Sequence, residues 1–341
     1  MKAIVENISE LTKNLFNISS SDTSINTSYL KFSENKLITK SQEMYIEAKL
    51  KHDIKDCVIM FDKFQKLLES LNPKKEIEIV SSENFIKIKH KDKGKIVAKI
   101  PFVEEEIDFP KIKKTKKWEA IPKNFFPALS FCKISLSKES INWILTYFGI
   151  FEDGLITTDE NRCSYYPFSN PLSKDFVLSS QCVSLIENLG LDFYHVGKKS
   201  IEFKSEKYYI KIPLLVAEYP KIKEEIFEKE VKLETNRIGF LKAIERCKIF
   251  ASGESLKKEE ISIVIQKNKK FEISSKNDFG SSLEKGRMKS KIKEDIEMIV
   301  NPSYLIDILK KISSRNVIFY YSSNRIIFEQ EEFKHVIALN V

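Results

Sequence analysis

The sequence predicts an α+β protein of three tandem units, each with two helices packed on antiparallel strands. Three observations carry this: a length of 341 residues, an internal repeat with a period near one third of that length, and one order of helix and strand signals recurring inside each period. Such a chain exceeds one ordinary core and suits two or three domains of about 100–150 residues each. Hydrophobic residues make up 42%, and only 9 Gly and 10 Pro interrupt them, so the composition is that of a packed globular protein.

Self-similarity at a fixed spacing outranks local signals, because it sets the whole architecture. Lys99 to Lys113 reads KIPFVEEEIDFPKIK and Lys211 to Lys223 reads KIPLLVAEYPKIK. Both carry KIP, an aromatic residue before proline, and PKIK, and Pro110 and Pro220 are 110 residues apart. The third copy is expected in the C-terminal third. A short amphipathic helix segment precedes each KIP, ending KLLESL at Lys66–Leu71 and SLIENL at Ser184–Leu189, and DILKKI at Asp307–Ile312 stands in the same place in the third unit. Paired period-two segments follow: EIEIV with FIKIKH, LDFYHV with SIEFKS, and NVIFYY with RIIFEQ. Such alternation between polar turns reads as β-hairpins with one buried face.

Each unit opens on a helix of its own: SELTKNLFNIS from Ser9, PKNFFPALSFCKIS from Pro122, and NRIGFLKAIERCKIF from Asn236. In the last, Ile238, Leu241, Ile244 and Ile249 fall near helical spacing and predict the apolar stripe. Lys242, Glu245, Arg246 and Lys248 lie on or beside its polar side. The unit boundaries are read at 1–117, 118–234 and 235–341.

The net charge is +8, from 57 Lys+Arg against 49 Asp+Glu, which suits a polyanionic partner. A helix packed on a sheet keeps one polar side. If those sides are basic and face one way, they form a surface for the phosphate backbone, which attracts Lys and Arg without regard to sequence. The helix segments offer Lys13, Lys63, Lys66, Lys123, Lys133, Arg237, Lys242, Arg246, Lys310 and Lys311. Long flexible lysines suit loose contact better than base-reading bidentate pairs do.

Bond chemistry finds no constellation in the sequence. The four histidines (His52, His90, His195, His335) are isolated, and no glycine-rich phosphate loop is present. The five cysteines (Cys57, Cys132, Cys163, Cys182, Cys247) are scattered without a C-x-x-C pair, which reads as free buried thiols with no metal site and no cofactor. The acidic runs Glu104–Glu106 and Glu224–Glu225 read as solvated surface. No apolar run approaches the roughly 20 residues that span a bilayer, and MKAIVENISELTKN lacks a signal-peptide core, so a cytoplasmic protein is expected.

At this point the sequence resembles the bacterial sliding clamps, the DNA polymerase III beta-subunit family. IDFPKI at Ile107–Ile112 and AEYPKI at Ala217–Ile222 resemble the ends of the family's first two domains. NRIGFLKAIERCKIFAS, NPSYLIDILKKISSRNVIFYY, RIIFEQ and VIALNV follow the order of its third domain. TTDENRCSYYPF at Thr157–Phe168 resembles the family's Thr-Asp-Gly-His-Arg-Leu segment, with Glu160-Asn161 in place of Gly-His and Cys163 in place of Leu. The resemblance implies three tandem DNA-clamp domains per chain and a head-to-tail homodimer closed into a ring around double-stranded DNA. It also implies a short-peptide pocket for a replicative polymerase and a clamp loader, and no catalytic residues. The pocket would involve Leu145, Thr158, Arg162, Cys163, Pro220, Ser323, Arg325, Ile337, Ala338 and Leu339. The dimer contact would join Ile249 and Phe250 to an edge strand near Val97. Other readings stay open at this stage: a phage-encoded or paralogous clamp, a metal-dependent repair nuclease using Asp108, Asp159 and Glu160, or a basic protein that coats nucleic acid.

Overall fold

The computed structural model describes residues 1–19, 29–40, 44–92, 94–109, 117–138, 141–168, 175–215, 217–251, 259–322 and 324–340. Ser323, Val341 and the Pro110–Lys113 end of the first repeat motif lie outside them.

One element order runs three times along the chain. The first copy is β1 (Lys2–Ile4), α1 (Val5–Ser19), β2 (Tyr29–Ser33), β3 (Lys36–Lys40), β4 (Tyr45–Lys49), β5 (Cys57–Met60), α2 (Phe61–Ser70), β6 (Glu76–Ser81), β7 (Phe85–Lys91) and β8 (Lys95–Pro101). The second is β9 (Glu119–Ala120), α3 (Phe125–Cys132), β10 (Tyr147–Ile150), β11 (Gly154–Thr158), β12 (Arg162–Pro167), β13 (Phe176–Ser179), α4 (Ser180–Ile186), β14 (Phe193–Val196), β15 (Ser200–Lys204) and β16 (Tyr208–Pro213). The third is β17 (Val231–Asn236), α5 (Arg237–Lys248), β18 (Ile261–Ile265), β19 (Lys270–Asn277), β20 (Gly280–Arg287), β21 (Ile296–Val300), α6 (Pro302–Lys311), β22 (Asn316–Ser322), β23 (Arg325–Gln330) and β24 (Phe333–Ala338). The three hairpins expected from period-two segments are β6/β7, β14/β15 and β22/β23, all antiparallel.

The sheets cross the repeat boundaries. Strands of the first two copies share one eight-stranded sheet, ordered β5-β2-β3-β4-β16-β15-β14-β9. Strands of the last two share another, ordered β13-β10-β11-β12-β24-β23-β22-β17. Two four-stranded sheets remain, β1-β6-β7-β8 and β20-β19-β18-β21. Because hydrogen bonding follows the shared sheets, the compact units do not follow the repeat. One comprises Met1–Pro122 with Leu178–Leu215, and the other Lys123–Val177 with Val216–Val341.

Within each unit the helices cover one face of the sheets. In the first, Phe61, Phe64 and Leu68 of α2 are buried, with Phe64 edge-on to Phe32 of β2. In the second, Phe240 of α5 stacks on Phe319 of β22 and meets Phe271 of β19 edge-on. Helix starts are fixed by side chains where the sequence offers a cap. Asn236 accepts a hydrogen bond from Gly239 N, Asn301 from Ser303 N, and Ser179 from Cys182 N.

The buried stripe of α5 differs from the one the sequence predicts. Phe240, Ala243, Ile244 and Cys247 face the core, while Ile238 is exposed and Ile249, just past the helix, is 67% exposed. Spacing of i, i+3, i+4 and i+7 fits the observed set better, and the aromatic ring of Phe240 outweighs Ile238 in buried area. All five cysteines are buried, and among the described residues none is in a disulfide. Among the described residues no helix is long and apolar enough to cross a membrane.

Candidate functional site

Ser323 aside, the residues named for a peptide pocket all belong to the second compact unit. Leu145 sits in a single 3-10 turn, Trp143–Thr146, and packs with Ile144, Val177 and Tyr219 into a small apolar cluster. Tyr147, Phe151, Ile156 and Ala217 pack against that cluster. Tyr219, which precedes Pro220, lies over β10 because residue 149 is glycine: a Cβ there would come within 2.7 Å of the Tyr219 ring. The phenol accepts a hydrogen bond of 3.1 Å from Thr158 N, at the end of β11 where pairing with β10 has stopped. Burial pushes the Tyr219 hydroxyl well above its ordinary pKa.

The β11–β12 turn connects this cluster to the end of the chain. Thr158 pairs with Cys163, and its hydroxyl donates to Arg162 O at 2.8 Å. Glu160 takes a positive φ of 73° in the turn. Arg162 donates to Asp159 at 2.8 Å and to Asp307 at 2.7 Å, and lies over the Tyr304 ring at 4.4 Å, so α6 holds the turn in place. Cys163 is buried, which raises its thiol pKa. On the neighbouring strand Arg162 is opposite Ile337, and Ala338 N donates to Asn161 O at 2.8 Å. Arg325 is opposite Ala338 across β23/β24, and Leu339 N donates to Asn324 O.

Thr158, Cys163, Ala338 and Arg325 thus fall on neighbouring strands at one end of the sheet. Paired positions share a face, and Thr157 and Ser164, one residue on, face α3 instead, through the Thr157 hydroxyl bond to Cys132 O at 2.5 Å. Ile337 is fully buried on the helix-facing side, Ala338 is exposed, and Leu339 and Pro220 are half-buried. Sequence reading missed Tyr219, Ile144 and Val177. The aromatic residue before proline, shared by both PKIK motifs, is the signal that marks Tyr219.

The basic candidates divide by what already engages them. Arg237 donates to Ser314 O and Leu309 O, closing the end of α6. Arg246 forms a bidentate pair with Glu284 at 2.6 and 2.7 Å. Lys310 pairs with Glu245, Lys311 donates to Ser130 O and Lys63 approaches Asp62, while Lys133 is exposed. Lys13, Lys66, Lys123 and Lys242 are exposed and enter no ion pair among the described residues. Lys242 and Arg246 are four apart on α5, on one face.

Two open sheet edges complete the inventory. On β8, Ile96 is exposed and Val97 is 46% exposed; on β20, Leu283 is 57% exposed. Phe250 rests against Gly280 at the start of β20. Among the described residues no group of three or more His, Cys, Asp or Glu could hold a metal ion. Asp159 directs both carboxylate oxygens at Arg162.

A thrice-repeated helix and strand order, with sheets shared across repeat boundaries, defines the DNA-clamp class of fold. The structure superposes over its whole length on bacterial DNA polymerase III beta chains. With the Streptococcus pneumoniae beta chain the TM-score is 0.82 at 16% identity, covering 100% of this chain and 99% of that one. The Helicobacter pylori beta clamp, solved with a DNA ligase peptide, gives 0.81 at 15% identity, covering 100% and 99%. A beta subunit from Eubacterium rectale gives 0.81 at 18%, covering 99% and 98%. No protein-family model and no curated protein matches the sequence.

Proposed function

We propose that the protein is a DNA sliding clamp: two copies close head to tail into a ring around duplex DNA and hold a replicative DNA polymerase on it, with no bond chemistry of their own. The pair of open sheet edges carries this reading. Two eight-stranded sheets arise where β4 meets β16 and where β12 meets β24. In the repeat, β8 and β20 are the counterparts of these joining strands, and each ends a four-stranded sheet. A second copy offering β20 to β8, and β8 to β20, completes the two joints between copies, the fifth and sixth of the ring, and hides edges that would otherwise recruit foreign strands. Three domains per chain, 1–117, 118–234 and 235–341, then make six around the ring, with two helices each toward the hole.

In this reading Lys13, Lys66, Lys123 and Lys242, together with Lys311, meet the phosphate backbone loosely, and enclosure supplies the retention that local affinity does not. The cluster around Leu145 and Tyr219, with the row from Thr158 to Arg325, takes short apolar peptides of polymerase and clamp loader, a mode in which few anchors carry the binding. Such a protein works in the cytoplasm.

Light scattering after size exclusion tests the ring: the expected mass is twice the 39.7 kDa of one chain. Protein loaded on nicked circular DNA should be lost when the circle is cut. A strict monomer at micromolar concentration, or equal retention on cut and closed DNA, would overturn the reading.

A further inference from the structure

We infer that the face of the first eight-stranded sheet turned away from α1 and α2 is a binding surface for single-stranded nucleic acid. The inference goes beyond the clamp reading and does not depend on ring closure. Its starting point is a difference between two equivalent places. β3 reads KLITK and β11 reads GLITT, so Leu37-Ile38-Thr39 and Leu155-Ile156-Thr157 are the same residues at the same position in the repeat. Lys31 is opposite Ile38 and Gly149 is opposite Ile156, so Lys31 stands where the second sheet has Gly149. By the same alignment Lys40 replaces Thr158, and the aromatic residue before proline is Phe109 in place of Tyr219.

The chemistry changes accordingly. Where glycine lets Tyr219 settle onto an apolar cluster, Lys31 and Lys40 set their ammonium groups 5.7 and 5.9 Å from the Phe109 ring centre. Lys31, Ile38, Glu47, Tyr209, Lys204 and Phe193 run straight across five successive strand pairings and share this face. The adjacent rows add Lys36 with Lys49, and Lys40 with Lys211. The two carboxylates among them are already engaged, Glu47 by Lys36 and Tyr45, and Glu202 by Tyr209 at 2.6 Å and Ser200 at 3.3 Å. Lys36 is thereby paired, and five lysines, Lys31, Lys40, Lys49, Lys204 and Lys211, enter no ion pair among the described residues.

The rings interleaved with those lysines select the polyanion. Lys204 lies 4.3 Å from the Trp118 ring centre and 5.3 Å from that of Phe193, which is 41% exposed. Trp118 also contacts His195 and Tyr209. Ammonium groups beside accessible rings on an open sheet suit unstacked bases, because phosphates meet the lysines while bases lie on the rings. A duplex keeps its bases stacked inside and cannot use the rings.

The sequence holds two tryptophans, so a Trp143→Phe variant leaves Trp118 as the sole reporter. Titration with a short oligo(dT) should quench Trp118 emission, and binding should weaken steeply with salt. By fluorescence anisotropy of labelled oligo(dT), Lys31→Glu/Lys40→Glu/Lys204→Glu should bind at least tenfold more weakly, and the milder Lys31→Gln/Lys40→Gln should lower the salt dependence with the fold intact by circular dichroism. Lys232→Glu, an exposed position on β17 of the other eight-stranded sheet, should leave the quenching unchanged. Absence of quenching, or equal quenching by a duplex of the same length, would overturn the proposal. Equal quenching by poly-glutamate would overturn it in favour of an acidic protein segment.

Discussion

A Cβ on residue 149 would press into the Tyr219 ring at 2.7 Å, and that ring holds the floor of the candidate pocket through Thr158 N. Gly149→Val is therefore expected to displace Tyr219 and destabilise the second unit by about 1–3 kcal/mol, the usual effect of overpacking. Thermal unfolding of the purified variant checks this, and a melting temperature equal to that of the parent would show that Tyr219 can move freely. A second residue-scale expectation concerns His335, which is fully buried. Its Nδ1 lies 2.8 Å from Ser164 Oγ, which in turn lies 2.7 Å from Ser135 Oγ. Desolvation, aided by Arg162, lowers its pKa to about 3. In the unfolded chain the imidazole titrates near its ordinary value of about 6.5 and takes up a proton that the folded state refuses. Stability from this group is therefore complete above about pH 6.5 and falls progressively as the pH drops toward 3. Urea unfolding at pH 7 and pH 5 should show a larger loss for the parent than for His335→Gln, and parallel losses would mean that other groups dominate the acid limb.

At the scale of elements, legibility followed area and periodicity. The first hairpin was readable because its strands bury every second residue, at Ile77, Ile79, Ile86 and Ile88, whereas β15 and β23 each bury at least three residues in a row. The stripe of α5 was misread because isoleucines at plausible spacing mark two surfaces, the core and the exposed turn at Ile249, and only packing separates them. The pairing of strands from different repeats was not legible at all, since nothing local in KIP or RCSYYP names its partner. The last strand shows the same division. Ile337 is core, whereas Leu339 and Asn340 lie past β24 and attach by Leu339 N to Asn324 O, Asn340 N to Ile299 O and Asn340 Nδ2 to Glu260. Deleting Leu339 to Val341 is expected to keep the fold, because β24 retains its ladders. A short apolar polymerase-tail peptide should then bind at least tenfold more weakly, about 1.4 kcal/mol. Calorimetric titration decides: unchanged affinity would remove these residues from the pocket, and unfolding would make them structural.

For the whole molecule, the two internal joints fix the register expected at the proposed joint between copies. Thr39, Thr157 and Ser275 are equivalent: the first two lie in identical Leu-Ile-Thr segments, and Ser275 donates to Cys247 O of α5 as Thr157 donates to Cys132 O of α3. Their hairpin partners are Ile46, Ser164 and Ser282. Ile46 is opposite Ile210 and Ser164 opposite His335. Counting back from the shared KIP, Ala98 is the counterpart of Ile210, so Ala98 of one copy should face Ser282 of the other, and Val97 should face Leu283. The match is chemical as well as geometric, since both side chains are large, apolar and about half exposed in the single chain. Ile96, on the other side of β8, would meet the partner near Ile249 and Phe250. Val97→Lys or Leu283→Glu alone should weaken the dimer at least tenfold by sedimentation equilibrium. The double variant places Lys opposite Glu at both joints of the ring, and directly opposed charges contribute about 0.2–1 kcal/mol per pair. Its dimer should therefore be tighter than the two single effects combined would allow. If the double variant is no better than that combination, Val97 and Leu283 are not opposed and the register derived from the internal joints is wrong.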